Sequence, residues 1–239
     1  FTLYADSQRL PQPPQSMAEL LALARRQPGR ISYPRLPDFT GTTFVKQALL
    51  EHVADVSVLA KPPVAADFAQ VTAPLWQFLD ALHPQLWRGG KQFPQNPAAV
   101  RQMMADGELL LGLTFNPNEA ANEIAAQRLP ATVTSWQFAK GTIGNTHFVA
   151  IPYKAKASAG AQVVANFLLS AQAQARKADI AVWGDPTVLD LARLPEAERA
   201  RFPSRPLPGQ VVQGAPTLPE PHAAWVEPIE QEWTRRYGV

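Results

Sequence analysis

The sequence contains no cysteine, so it forms no disulfide and offers no thiolate to a metal. That absence fits an exported protein as well as a cytosolic one. No apolar run approaches the ~18 residues that a membrane-spanning helix requires. Neither charge sign is in excess, since 22 Lys+Arg stand against 20 Asp+Glu for a net charge of +2. So small a balance gives no reason to expect a nucleic-acid partner or a membrane surface. There is no Walker A loop, no dinucleotide glycine fingerprint and no nucleophile elbow. His52, His83, His147 and His222 lie far apart and show no metal-ligand spacing. No catalytic residue, metal or cofactor is therefore expected. What is present is a globular composition: 239 residues, 46% hydrophobic and 18% charged, enough for one large domain or two small ones. The 24 prolines gather in loops and in the last third.

The chain is organised around residues 33–44, Tyr-Pro-Arg-Leu-Pro-Asp-Phe-Thr-Gly-Thr-Thr-Phe. Residues 30–33 read as a short strand leading into it. Pro34 and Pro37 bar a helix and hold the next segment extended. Phe44, Val45, Ala48, Leu49 and Val53 then recur at helical spacing, which predicts a helix from about Thr42 with Thr40 as its N-cap. The free N–H groups and dipole of such a start favour an anionic or polar group. The same residues equally describe an ordinary capped helix start, and both readings stand.

Elsewhere, residues 1–5 read as a strand already under way, which predicts a fragment or processed piece. Ser16-Met17-Ala18-Glu19 forms a capping box before a helix that stops at Pro28. Helices are expected over 65–82, 98–105, 119–127, 157–169, 171–180 and 222–237. The first of these carries Phe68, Val71, Leu75 and Leu79 on one stripe; the 157–169 helix carries Ala161, Val164, Ala165 and Leu168; the last shares Trp225, Ile229 and Trp233 on one face. Residues 108–114 are apolar on both faces, as in a covered parallel strand. Further strands are expected over 132–139 and 145–151, with an irregular Pro-rich stretch over 194–221. Strands alternating with helices predict an α/β fold.

In open α/β sheets, ligands bind beyond the carboxyl ends of the strands. Tyr33, Asp38, Thr40, Gly41, Thr42 and Thr43 lie at one such end, and Asn116, Asn118 and Glu119 at another. Trp136 closes a third, Asn145 precedes the next, and Trp87 with Arg88 occupies a Gly-flanked loop that could reach the same mouth. Core packing is the competing reading for both tryptophans, and a solvated charge is the competing reading for Arg88.

Several of these stretches resemble one family. Tyr33-Pro-x-x-Pro-Asp-Phe-Thr-Gly resembles the second-lobe ligand loop of bacterial extracellular solute-binding proteins with the type 2 periplasmic-binding fold. Leu86-Trp87-Arg88-Gly89-Gly90-Lys91, Phe115-Asn116-Pro117-Asn118-Glu119 and residues 141–153 are similar to the YnjB-type branch of that family. Asn166-Phe167-Leu168-Leu169-Ser170, with Gln172 and Gln174, resembles a helix widespread in the superfamily. The resemblance implies two α/β lobes with helices on both faces of a mixed sheet. Residues 1–5 would be the first hinge strand and 6–146 the second, ligand-binding lobe. Residues 147–239 would hold the return crossover, first-lobe helices and a Pro-rich tail with the last helix. It implies that a preceding part of the first lobe is missing here.

The implied function is a monomeric solute receptor of an ABC-type importer, periplasmic or lipid-tethered outside the membrane, with permease subunits as partners. The residues named above would contact the solute, with Tyr33 and Trp136 as stacking walls and Arg88 gripping an anion. The solute is expected to be small and polar, anionic or zwitterionic. Glu119 with Tyr33 and Trp136 would instead suit an amine-like cation. An enzyme on the same scaffold and a ligand-sensing domain of a regulator are the competing expectations.

Overall fold

A computed structural model describes residues 1–203, 207–211 and 215–238. Strand β1 (Thr2–Asp6) leads to helix α1 (Met17–Arg26), capped by the Ser16 side chain, which accepts from the Glu19 N–H at 3.2 Å. The Glu19 carboxylate reaches back one residue further than a standard box, to the Gln15 N–H. Helix α2 (Phe39–His52) follows, then α3 (Phe68–Leu82) and α4 (Pro97–Ala105), the last capped by Asn96. Strand β2 (Leu111–Thr114), helix α5 (Glu119–Ala125), strand β3 (Val133–Trp136) and the two-residue β4 (Thr142–Ile143) complete the centre of the chain. Helices α6 (Ser158–Leu168), α7 (Ala171–Ala178) and the single-turn α8 (Glu196–Arg199) come next, then β5 (Thr217–Leu218) and α9 (Val226–Tyr237).

The fold is mixed α/β. The main sheet runs β2-β1-β3 with both pairings antiparallel, Leu3 opposite Leu113 and Trp136; β4 and β5 form a separate parallel pair. The expectation of a parallel strand over 108–114 is thus corrected. An apolar pattern on both faces reports coverage, not direction. Both faces are indeed covered. Tyr4 and Val133 pack with Met104 of α4 and Ala120 of α5, while Leu3, Leu111, Leu113 and Trp136 join Met17, Phe44, Leu75 and Ile229.

Two further expected strands do not form. Around 30–33 the chain is extended, but the Arg30 carbonyl accepts from Leu110 and the Ile31 carbonyl from Trp87, so no single neighbour supports a ladder. Residues 145–151 have no strand neighbour among the described residues and stay exposed, Phe148 at 88%. The stretch 194–221 is irregular as expected apart from α8 and β5; residues 204–206 and 212–214 lie outside the described residues.

The last helix behaves as its pattern requires, with Trp225, Ile229 and Trp233 all buried against α2 and α3. In α6 the expected stripe is not covered: Ala161 and Ala165 are only half-buried, and Val164 and Leu168 are exposed. Val163, Val164, Phe167 and Leu168 are exposed by 40–70%.

Gly41 has a packing explanation. A Cβ there would stand 2.0 Å from the Pro34 carbonyl oxygen, so only glycine lets α2 lie against the Pro-rich loop. Gly41→Ala is expected to lower stability by about 1–3 kcal/mol, read as a reduced urea midpoint at unchanged m-value.

Candidate functional site

Among the described residues lies an open hollow of about 2150 Å³. One side comes from the main body: Thr2, Phe39, Thr40, Thr114, Phe115, Asn116, Gln137 and Asn145. The other comes from α6, α7 and the segment after them, including Arg176, Lys177, Asp179, Trp183 and Asp185. Its volume exceeds the ~300–1,000 Å³ that encloses a drug-sized ligand, so as it stands it would not seal around a small molecule.

Of the residues singled out from sequence, Thr40, Asn116 and Asn145 line the hollow. The helix-start reading is corrected in detail. Asp38, not Thr40, caps α2: its Oδ1 accepts from the N–H groups of Thr40 at 2.8 Å and Gly41 at 3.1 Å. A carboxylate therefore already occupies the place where an incoming anion would use those donors. Thr40 is only 5% exposed, and its hydroxyl has no hydrogen-bond partner among the described residues. Asn116 is held by two local bonds. Its N–H donates to Thr114 Oγ1 at 3.0 Å, and its Oδ1 accepts from the Asn118 N–H at 2.9 Å, which leaves its side-chain N–H₂ to donate.

The other candidates serve elsewhere. Thr42 donates to Glu230 of α9 at 2.6 Å, and Thr43 bonds back to the Phe39 carbonyl at 2.9 Å. Both are sealed within α2's packing because the first turn faces the last helix. Tyr33 is fully buried and stacks on Phe44 at 4.2 Å, so it offers no wall to a solute. Trp136 turns its Nε1–H to the Pro14 carbonyl at 2.8 Å, inside the core. Trp87 donates to Glu108, and Arg88 lies 4.4 Å over the Trp87 ring with its side chain on Gln92, away from the hollow's lining. Glu119 is ion-paired with Arg101, which also approaches Glu123 at 3.5 Å. Hydrogen bonds from Arg128 hold the Glu123 carboxyl below the usual carboxylate range. With Glu119 paired and both aromatic walls buried, the amine-cage alternative loses its parts.

Asn118 is a fastener. Its Nδ2 donates to the Gly184 carbonyl at 2.7 Å and its Oδ1 accepts from Gln210 at 2.9 Å. Asn122 adds a bond to the Trp183 carbonyl at 2.9 Å. These bonds pin the segment around Trp183 to α5. Asn118→Ala is expected to cost about 1–3 kcal/mol by leaving the Gly184 carbonyl unmet. It should also speed limited proteolysis within residues 179–188, mapped by mass spectrometry.

Sequence reasoning missed Phe39, Gln137, His147, Arg176, Lys177, Trp183 and Arg201 in the lining. Lys177 is paired with Asp185 at 2.7 Å, and His147 Nδ1 lies 3.8 Å from the same carboxylate. Arg176 and Arg201 have no ion pair among the described residues. Of these only Phe39 lay within a stretch singled out from sequence, directly after Pro37-Asp38. No cluster of metal-ligating side chains occurs among the described residues.

With its open hollow beside a strand-and-helix core, the chain falls into a known family: the model of the bacterial extracellular solute-binding protein family matches residues 1–200, and the chain is a member of that family. Among curated proteins it is 53% identical over 238 residues to Protein YnjB of Escherichia coli (strain K12), covering 100% of this chain and 60% of that one. Among solved structures it is similar to an ABC transporter from Clostridium perfringens ATCC 13124, with TM-score 0.64 and 18% identity over 98% of this chain and 65% of that one. It is also similar to the periplasmic binding protein AfuA from Actinobacillus pleuropneumoniae, described with exogenous fructose-6-phosphate bound, at TM-score 0.60 and 17% identity. That match covers 99% of this chain and 66% of AfuA. At such identities the structural likeness establishes the fold. The chain spans about two thirds or less of each of these relatives.

Proposed function

We propose that this protein is the solute receptor of an ABC-type import system. It captures a small polar solute between two lobes, in the periplasm or tethered outside the membrane, and presents it to permease subunits as a monomer. Binding and closure are the mechanism, and no covalent step is involved. In this reading residues 1–5 are a hinge strand, 6–146 the second lobe, and 147–239 the return crossover, first-lobe helices and tail. The exposed apolar face of α6 supports the division, since Val163, Val164 and Phe167 suit contact with further first-lobe structure.

The observation that carries the reading is the hollow itself, open, oversized for a small ligand, and lined from both sides by polar groups not fully used in folding. Arg176 and Arg201 stand there against Asp179, once Lys177 and Asp185 are paired off. That balance favours an anionic or zwitterionic solute, with guanidinium groups suited to carboxylate or phosphate oxygens.

The test is a thermal-shift screen of the full-length protein against a metabolite library. One solute at 100 times its Kd should add about 2.7 kcal/mol of stability. Native mass spectrometry of the freshly purified protein should show the same solute leaving unchanged. Turnover of the bound compound, or no stabilisation by any member, would defeat the proposal.

A further inference from the structure

The lining of the hollow carries two exposed aromatic faces that the fold does not need for its core. On the body side, Phe39 is the first residue of α2, 54% exposed, and packs against Phe115 with ring centroids 4.7 Å apart. Phe115 is backed in turn by Phe1 at 6.0 Å. On the other side, Trp183 is also 54% exposed, with the His147 ring nearly parallel to it at 13° and 6.4 Å. Lys177 Nζ approaches the Trp183 ring at 5.7 Å. All of these residues line the one hollow. The bonds from Asn118 to Gly184 and from Asn122 to Trp183 hold the two faces to a common support, three and seven residues beyond Phe115.

Polar groups lie beside the rings. Thr40, adjacent to Phe39, lines the hollow and carries a hydroxyl; the Asn116 amide, adjacent to Phe115, has its N–H₂ to spare. Both can donate to an oxygen. Apolar rings next to donors form a two-part surface: a flat hydrocarbon face and an acceptor at its edge.

We infer that the solute carries a planar, conjugated ring, held against Phe39–Phe115 and Trp183, with a ring-borne oxygen on Thr40 and Asn116 and its anionic group toward Arg176 or Arg201. This deepens the receptor reading and rests on it. A ring of this kind fits aromatic faces by offset or edge contacts, whereas an acyclic acid would leave both platforms wet.

The test uses the full-length protein and calorimetric titration with planar ring acids (benzoate, nicotinate, orotate) beside non-planar acids of like charge (cyclohexanecarboxylate, gluconate, succinate). At least one planar acid should bind tighter than every non-planar one. Phe39→Ala and Trp183→Ala should each weaken it by about 2- to 13-fold, the range for one aromatic contact, and Phe39→Trp should restore binding. Both side chains are more than half exposed, so neither truncation threatens the core. Equal binding by the two sets, or unchanged affinity in Phe39→Ala alongside a loss in Arg176→Gln, overturns the ring and leaves the receptor standing. A hit in the metabolite library that is acyclic does the same. Silence across both the acids and the library overturns the ring and the receptor together.

Discussion

Trp233→Ala is expected to cost about 3–5 kcal/mol, the loss typical of removing a fully buried indole from a packed core. Trp233 is 1% exposed and sits among Tyr33, Phe93, His83 and Tyr237, with ring centroids of 5.1 Å to Phe93 and 6.0 Å to Tyr237. Its Nε1–H donates to the Tyr33 hydroxyl at 2.8 Å, and that hydroxyl lies 2.7 Å from His83 Nε2. Truncation would leave a cavity and an unmet acceptor together, and would undock α9 from the loop before α2. Urea unfolding of the full-length protein reads the effect as a lowered midpoint. Tyr33→Phe separates the contributions, because it keeps the ring stack and removes only the hydroxyl. Its cost should be about 1–3 kcal/mol, from two buried groups left without their partner. An equal loss in both variants would show that the hydrogen-bond chain, not packing, secures the helix.

Acidification should loosen the same cluster. Burial pulls His83 down from 6.5 to about 4, partly opposed by the Asp80 carboxylate. The groups facing it are the Tyr33 hydroxyl, the rings of Phe93 and Trp233, and Tyr237, whose hydroxyl donates to Asp80 at 2.5 Å; Arg236 lies 3.8 Å from that carboxylate. His83 Nδ1 is buried with no partner among the described residues. Trp233 can only donate to the Tyr33 oxygen, and assigning the hydroxyl's own proton to Nε2 puts the proton of the neutral ring on Nδ1. A second proton would have to enter at Nε2 and break that chain. The sign follows from linkage: the unfolded chain takes up the proton below 6.5 and the folded one only near 4. Stability is therefore full above pH 6.5 and falls across the interval between 6.5 and 4, at up to about 1.4 kcal/mol per unit and roughly 3 kcal/mol in all. Urea midpoints at pH 7.5, 6.5, 5.5 and 4.5 should trace the decline, and His83→Asn should flatten it. The difference between parent and variant isolates the histidine. Glu232 titrates lower, held at about 2 by hydrogen bonds from Arg235 and Arg236, and contributes only as pH falls below 4.5. A parent profile as flat as the variant's would remove His83 from the account.

Local chemistry in the sequence determined the elements of this protein: the Ser16 and Asn96 caps, the bulk of helices α2 to α4, and the Trp225-Ile229-Trp233 face that docks the last helix. These are legible because caps and 3.6-residue spacing act within one or two turns. Tertiary structure decided what the residues are for. Thr42 became a tie to α9, Tyr33 a buried relay, Gly41 a gap for the Pro34 carbonyl, and Asp38 the cap. The same types of residue would serve a ligand equally well, and only the neighbour brought from 188 or 200 positions away settles the role. The direction of β2 and the lining contributed by Arg176 and Trp183 were hidden for the same reason, since pairing and convergence are properties of distant segments meeting.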